Sequence, residues 1–208
     1  MALMHSTMMA LGTEAPDFHL PDAANENAPI QLHHYATGAE ATLVMFICNH
    51  CPYVVHVVEQ LAQLARDYQP RGLKVVAVSS NDVERYPADA PEKMAAFAKT
   101  HGFTFPYCYD ASQEVARAYD AVCTPDFFLF DADLKLAYRG RLDESRPNSG
   151  KPVTGADMRH ALDLILAGES VPEERQVPSA GCSIKWREAA YPRRRYRRMV
   201  ASKYPSST

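Results

Sequence analysis

The sequence predicts an α/β fold in which a central mixed sheet is flanked by helices. Two apolar runs, at residues 42–47 and 73–79, have the continuous hydrophobicity of strands that are buried on both faces. An amphipathic helix pattern lies between the two runs, and a helix that connects two buried strands implies that these strands pair in parallel. A later pair of strand patterns, separated by the turn residues Asp131-Ala132-Asp133, adds an antiparallel edge.

The individual elements follow from hydrophobic periodicity and from turn and capping residues. The first long helix repeats apolar residues at intervals of three and four, which places Val54, Val58, Leu61, Ala65 and Tyr68 on one face. In chain order, we predict a hairpin of strands at 17–20 and 29–32, a strand at 42–47, a helix at 51–69, a strand at 73–79, a helix at 92–100, a short strand at 106–108, a helix at 113–119 capped by Ser112, a hairpin of strands at 127–130 and 134–140, and a helix at 155–167 capped by Thr154.

A Cys-x-x-Cys sequence, Cys48 to Cys51, falls where the first buried strand is followed by the helix. The unpaired N–H groups and the dipole of a helix N-terminus favour a thiolate. We therefore expect a redox-active dithiol, with Cys48 as the nucleophile of lowered pKa and Cys51 as the thiol that resolves a mixed disulfide. His50 lies between the two cysteines, and an imidazolium beside Cys48 would lower the pKa of that thiol further.

Length and composition indicate a globular, cytoplasmic protein. The 208 residues are enough for one ordinary domain with additional segments. No apolar run approaches the roughly 20 residues of a membrane-spanning helix, and the first residues lack the basic start and long apolar stretch of a signal peptide. Five cysteines with only one close pair argue against a structural disulfide framework. We expect no interaction with a membrane.

Charge is distributed unevenly along the chain. Residues 183–208 carry a net charge of +7, with five arginines between positions 193 and 198, whereas residues 1–182 carry −10. A basic run of this kind is typical of a solvated tail, although it could also contact an acidic partner or nucleic acid. We expect a tail that is solvated or docked on its own acidic domain, and we do not expect nucleic acid as a partner.

Several motifs together resemble those of one superfamily. The Cys-x-x-Cys after a buried strand and the later Thr124-Pro125 before a strand hairpin are similar to the thioredoxin superfamily. Residues 12–18, Gly-Thr-Glu-Ala-Pro-Asp-Phe, are similar to the opening of peroxiredoxins and of alkyl hydroperoxide reductase/thiol-specific antioxidant proteins. The peroxiredoxin-like branch carries four further motifs that are found here: Cys-Asn-His-Cys-Pro-Tyr at 48–53, Ser-Asn-Asp at 80–82, Gly-Arg-x-Asp at 140–143 and Gly-Cys-x-Ile-Lys-Trp at 181–186.

This resemblance implies a domain plan and a reaction. A thioredoxin-like domain with an N-terminal β-hairpin extension would cover residues 11–168, between a flexible N-terminus at 1–10 and a C-terminal extension with the basic tail at 169–208. The implied activity is thiol–disulfide exchange by Cys48 and Cys51 on disulfide-containing proteins or small molecules, with electrons from an unidentified thiol reductant. No cofactor or metal is expected, and a homodimer is left open.

The resemblance also implies a role for the segment opposite the cysteines. Thr124 and a cis Pro125 would face the pair, where the proline excludes metals and the Thr124 backbone pairs with a substrate strand. A cis X–Pro bond is uncommon enough to suggest a purpose.

A thiol-dependent peroxidase is the first alternative. In peroxiredoxins the peroxide-reactive cysteine aligns with Cys51, but the threonine and proline that accompany it are replaced here by Cys48 and Val44. We therefore rank peroxidase activity below disulfide exchange. Thioredoxins also bury an aspartate where this chain has Thr42, so the proton acceptor for Cys51 is unassigned.

Carriage of a soft metal such as copper is the second alternative. Cys48 and Cys51, together with His50 or His56, supply suitable ligand types. However, the other three cysteines are isolated, and no histidine occurs between positions 101 and 160, so this function is the least favoured.

The remaining cysteines are expected to differ in role. Cys108 fits a buried, small apolar position. Cys123 lies two residues before Pro125 and is either structural or an accessory thiol. Cys182 lies in a Gly-Cys-Ser sequence that we expect to be a flexible loop, and we predict that it works as a second-stage thiol for the Cys48–Cys51 pair.

Overall fold

The computed structural model describes residues 3–187. Within this range the strands are β1 (Leu3–His5), β2 (His19–Asp22), β3 (Ala28–Gln31), β4 (Ala41–Phe46), β5 (Leu73–Ser79), β6 (Tyr107–Tyr109), β7 (Cys123–Thr124), β8 (Asp126–Asp131), β9 (Leu136–Arg139) and β10 (Ala180–Ser183). The α-helices are α1 (Leu32–Tyr35), α2 (Pro52–Tyr68), α3 (Pro91–Thr100), α4 (Glu114–Ala118) and α5 (Ala156–Leu166). Short 3₁₀ turns occur at Gln69–Arg71, Pro87–Asp89 and Glu173–Arg175.

Seven strands form the main sheet, in the order β3-β2-β6-β5-β4-β8-β9. Strand β4 lies near its middle, pairs in parallel with β5 and antiparallel with β8, and is buried along its whole length. The central position explains the continuous apolar run, because both faces of β4 are covered. The predicted mixed sheet with flanking helices is therefore confirmed.

Alternate residues of β4 face two separate hydrophobic cores. Leu43 and Met45 face the core that contains α2, α3 and α5, which also encloses the Cys48–Cys51 pair. Val44 and Phe46 face the opposite core, where α1 and α4 pack. Each fully buried side chain of this kind contributes about 1.5–3 kcal/mol to stability. The cysteines thus follow a strand whose side chains are buried on both faces, and this packing holds the end of the strand in place.

A second sheet, with the order β1-β10-β7, is the main departure from the sequence-based prediction. Strand β10 pairs antiparallel with both neighbours, with Cys182 opposite Leu3 on one side and opposite Thr124 on the other. The expectation of a flexible N-terminus is therefore wrong for residues 3–5, and the expectation of a flexible loop at Cys182 is also wrong. Backbone pairing at both edges orders a segment whose side chains gave no strand signal.

The other elements agree with the prediction to within a few residues at their ends. The predicted N-terminal hairpin is formed by β2 and β3, and it joins the main sheet because β2 pairs with β6. Helix α1 and strand β7, at four and two residues, are too short to show a periodic pattern. The basic cluster at 193–198 lies outside the described residues. Among the residues that the structure describes, no helix combines the length and hydrophobicity needed to cross a bilayer.

Gly181 allows β10 to lie against β7, which gives a first prediction. A Cβ atom at this position would overlap with the Thr124 carbonyl group and would press against Pro125. Because these are backbone and ring atoms that cannot rotate away, Gly181→Ala is expected to lower the free energy of unfolding by about 3 kcal/mol. Chemical denaturation measures this loss, with Ala180→Ser at the neighbouring, half-buried position as control. Equal midpoints for Gly181→Ala and the wild type would contradict the described contact.

Candidate active site

The two cysteines lie in the connection between β4 and α2. Strand β4 ends at Phe46, and the N–H of Ile47 still donates to Val78 of β5 (3.0 Å). Cys51 is the N-cap residue of α2, and its carbonyl accepts hydrogen bonds from the N–H groups of Val54 and Val55 (2.9 and 3.0 Å). Pro52 is the first helical residue, a position where the backbone N–H that proline lacks would have no partner within the helix.

Both sulfur atoms are enclosed and both contact Thr124. The side chains of Cys48 and Cys51 are 1% and 0% exposed. The Cys51 thiol donates to the carbonyl oxygen of Thr124 (3.2 Å), and the Cys48 sulfur lies 3.5 Å from the Thr124 hydroxyl. The peptide bond between Thr124 and Pro125 is cis, as expected. The structure therefore brings together the four residues Cys48, Cys51, Thr124 and Pro125.

The two sulfurs interact, and this interaction separates their pKa values. It lowers the pKa of Cys51 from 9.0 to about 4, with further lowering by Cys182 and the Thr124 side chain, while burial acts in the opposite direction. It raises the pKa of Cys48 well above its ordinary value, and burial and the nearby Asp89 carboxylate raise it further. The Cys51 thiol that donates to Thr124 is therefore the first of the two to lose its proton, and the Cys48 thiol stays protonated.

This result corrects the prediction that Cys48 carries the lowered pKa. The main cause is the interaction with Cys48, and the position of the helix adds to it, because α2 begins after Cys51 rather than after Cys48. The positive end of the helix dipole therefore lies at Cys51 and favours a thiolate there.

His50 is paired with a carboxylate that the sequence analysis missed. Its Nδ1 atom lies 2.7 Å from Oδ2 of Asp89, and its ring stacks on Tyr86 with the ring centres 5.6 Å apart. The carboxylate is fully buried and accepts hydrogen bonds from the Asn49 N–H and from Nδ2 of Asn81 (both 2.8 Å). We expected His50 to lower the pKa of Cys48. Its partner Asp89 acts against this, because the Asp89 carboxylate raises the same pKa. The only sequence signal for this carboxylate network was the Ser-Asn-Asp motif at 80–82, which contains Asn81, one of the donors to Asp89.

Cys182 lies beside Cys51, whereas Cys123 faces away from the pair. The register places Cys182 directly opposite Thr124, whose carbonyl oxygen contacts the Cys51 sulfur, and Cys182 lowers the pKa of Cys51. The Cys123 thiol instead approaches the carbonyl oxygen of Pro125 (3.8 Å) on the side of Asp126. Cys108 is buried in the opposite core, as expected.

The backbone edge of Thr124 is already paired within the chain. Strand β10 forms antiparallel pairs with Cys123 and Thr124, in the position expected for a substrate strand. Just beyond β10, the Lys185 N–H donates to Oδ1 of Asn81 (2.8 Å), and the Lys185 carbonyl accepts from the Asp82 N–H (2.9 Å). The implied role of the Thr124 backbone therefore requires that β10 be displaced first.

One group of potential metal ligands occurs among the described residues. A ligand atom from each of Cys48, His50 and Asp89 lies within 4.8 Å of the other two. His56, the other histidine considered from the sequence, has its Nε2 atom 3.1 Å from the Ser145 hydroxyl. Both oxygens of Asp89 already accept hydrogen bonds, so ion binding would require this network to be rearranged.

A pair of cysteines at the end of a central strand, facing a cis proline, defines the class of thiol redox proteins with a thioredoxin-like fold. The family model of the AhpC/TSA family matches residues 11–139, so the chain belongs to this family. Members of the family are redox enzymes.

Three similar proteins illustrate the range of the family. The solved structure of a conserved protein from Geobacillus kaustophilus shares 54% identity with a TM-score of 0.87, covering 90% of this chain and 98% of that one. The thiol-disulfide oxidoreductase ResA of Geobacillus thermodenitrificans is 29% identical over 130 residues, which cover 62% of this chain and 68% of ResA. The 1-Cys peroxiredoxin B of Oryza sativa subsp. indica is 24% identical over 158 residues, which cover 76% of this chain and 64% of the relative.

Proposed function

We propose that the protein is a thiol–disulfide oxidoreductase that cycles between a Cys48–Cys51 dithiol and the corresponding disulfide. The observation that carries this proposal is that both sulfurs, where β4 leads into α2, contact Thr124 beside the cis Pro125. One sulfur is poised as a thiolate and the other as a thiol, which are the two states that consecutive exchange steps require.

The first step is attack of the Cys51 thiolate on one sulfur of a substrate disulfide. A bond forms between Cys51 and that sulfur, the substrate S–S bond breaks, and the other half of the substrate leaves as a thiolate. This assignment makes Cys51 the first nucleophile, in place of Cys48, because its interactions with Cys48, Cys182 and Thr124 lower its pKa.

The second step is attack of Cys48 on Cys51 in the mixed disulfide. The Cys48–Cys51 bond forms, the bound half of the substrate leaves with the two electrons, and the proton of the Cys48 thiol passes to this leaving sulfur. The pair has then lost two electrons and one proton. A thiol reductant, of the kind maintained in the cytoplasm, would restore the dithiol.

Small disulfides suit this site better than extended protein segments. Both reactive sulfurs are buried, and the Thr124 edge that a substrate strand would use is occupied by β10. A protein substrate would first have to break the pairing of β10, whereas a small disulfide needs only local opening. A pocket lined in part by Tyr53, His56 and Arg141 adjoins Pro125, the proline that faces the pair.

Oxidation followed by peptide mapping tests the proposal. Trypsin releases Cys48 and Cys51 together in residues 1–66, because Arg66 is the first lysine or arginine of the chain. After oxidation with a small disulfide and alkylation of free thiols, this peptide should carry an internal disulfide, and added thiol reductant should remove it. Free, alkylated Cys48 and Cys51 in the fully oxidised protein would contradict the proposal.

A thiol peroxidase is the second candidate, and the helix position of Cys51 favours it. The cysteine that aligns with the peroxide-reactive residue is the one with the lowered pKa. In this reaction the Cys51 thiolate would attack a peroxide oxygen, the O–O bond would break, and Cys48 would displace water from the resulting sulfenic acid. Second-order rate constants of the reduced protein with hydrogen peroxide and with a small disulfide decide between the two activities.

A further inference from the structure

Cys182 occupies a place from which it can react with Cys51. It lies opposite Thr124 in the β10–β7 pair, and the Cys51 sulfur is 3.2 Å from the Thr124 carbonyl oxygen. The Cys51 and Cys182 side chains also belong to the same buried core, β10 packs against α2, and each of the two thiols shifts the pKa of the other. Cys51 thus has a thiol neighbour on each side, Cys48 from the β4–α2 connection and Cys182 from β10.

The oxidation state of Cys51 affects the pKa of Cys182. In the reduced protein, burial and the Cys51 thiolate raise the pKa of Cys182 to about 12. Lys185, whose Nζ atom is anchored on the Ser183 carbonyl (2.7 Å), acts in the opposite direction. Once Cys51 is part of a disulfide its negative charge is gone, which removes one cause of the raised pKa, while burial continues to raise it and Lys185 to lower it.

We propose that Cys182 is a second resolving thiol, which attacks Cys51 in the Cys48–Cys51 disulfide and moves the disulfide to β10. The Cys48–Cys51 bond breaks, the Cys51–Cys182 bond forms, and the proton of Cys182 passes to the departing Cys48 sulfur. No external oxidant or reductant is needed, because one disulfide is exchanged for another. The inference rests on the redox role of Cys51 proposed above.

The exchange has a structural consequence for the Thr124 edge. In the reduced protein, β10 is held by backbone pairing and by the contacts of Lys185. A Cys51–Cys182 disulfide ties this strand covalently to the N-terminus of α2, so the oxidised form keeps the edge closed. Reduction releases the tether, so an extended substrate can displace β10 only in the reduced form.

Peptide mapping of oxidised Cys48→Ser protein tests the inference. Trypsin places Cys182 in residues 176–185, Cys123 in 118–135 and Cys108 in 100–117, so each partner of Cys51 gives a distinct cross-linked mass. We expect the cross-link between 1–66 and 176–185 to be the main disulfide product under mild oxidation with diamide. If Cys182 remains free in this variant, or if Cys51 bonds to another cysteine instead, the inference is wrong.

Mapping of the wild type and of two further variants distinguishes this inference from the proposed function. Wild type should show both the internal disulfide of 1–66 and the cross-link to 176–185, whereas Cys182→Ser should show the internal disulfide alone. Cys123→Ser is the matched control, because this thiol neighbours the same strand pair but faces away, and it should behave as wild type. An internal disulfide without the cross-link contradicts only the role of Cys182, while the absence of both contradicts the proposed function.

Discussion

Replacing Cys51 with serine is expected to slow the first step of disulfide reduction by at least about 1,000-fold, the scale seen when a catalytic nucleophile is removed. The serine hydroxyl cannot replace the thiolate, and Cys48 alone is buried beside Asp89, which disfavours its charged form. Cys48→Ser should keep the first step, because Thr124 and Cys182 still lower the pKa of Cys51 and the helix dipole still favours its thiolate. The release of a chromogenic thiol from a small aromatic disulfide measures this step directly.

The double variant Cys48→Ser/Cys182→Ser provides the decisive control. It lacks both thiols that contact Cys51, so the substrate should remain bound to Cys51 as a mixed disulfide that intact-mass spectrometry detects. The corresponding Cys51→Ser/Cys182→Ser protein should trap nothing at a comparable rate. Rapid trapping on Cys48 in this second protein, with none on Cys51 in the first, would reverse the assignment of the nucleophile.

The main sheet could be predicted because its signals are local. The apolar run of β4 and the helical period of α2 are properties of consecutive residues, and they place the Cys-x-x-Cys at a strand-to-helix junction correctly. Which of the two sulfurs has the lower pKa and reacts first could not be predicted in the same way. It depends on whether the helix begins before or after Cys51, and a shift of a few residues exchanges the thiol that the helix dipole favours.

The rest of the site is assembled from contacts that are distant in sequence. Asp89 reaches His50 across 39 positions, and Cys182 reaches Thr124 across 58, without any periodic pattern in the segments that carry them. Strand β10 has the sequence Ala-Gly-Cys-Ser, which has little strand propensity, and it is ordered by pairing on both edges. The motif resemblance at 181–186 pointed to this segment, but only the tertiary structure shows what it pairs with.

Replacing Asp126 with asparagine is expected to make the protein more stable above pH 7 by up to about 4 kcal/mol. The Asp126 side chain is fully buried at the start of β8, and neither carboxylate oxygen has a hydrogen-bond partner of good geometry among the described residues. Burial raises the pKa of this carboxyl group from 3.8 to about 7. The folded protein therefore holds a proton between about pH 4 and pH 7 that the unfolded chain has released, so stability falls as the pH rises through this interval. About three pKa units at roughly 1.4 kcal/mol each give the stated difference.

Denaturant titrations of wild type and Asp126→Asn between pH 3 and pH 8 measure the effect as a difference. Other ionisable groups are common to both proteins and cancel, so the two stabilities should converge below about pH 4 and diverge as the pH approaches 7. Asp133→Asn, at an exposed turn position after the same strand, is the control and should follow the wild-type curve. Parallel curves for Asp126→Asn and the wild type would contradict the prediction, because they would mean that Asp126 is already ionised in the folded protein at low pH. Burial of this carboxyl group opposes ionisation, since a charge there is removed from water.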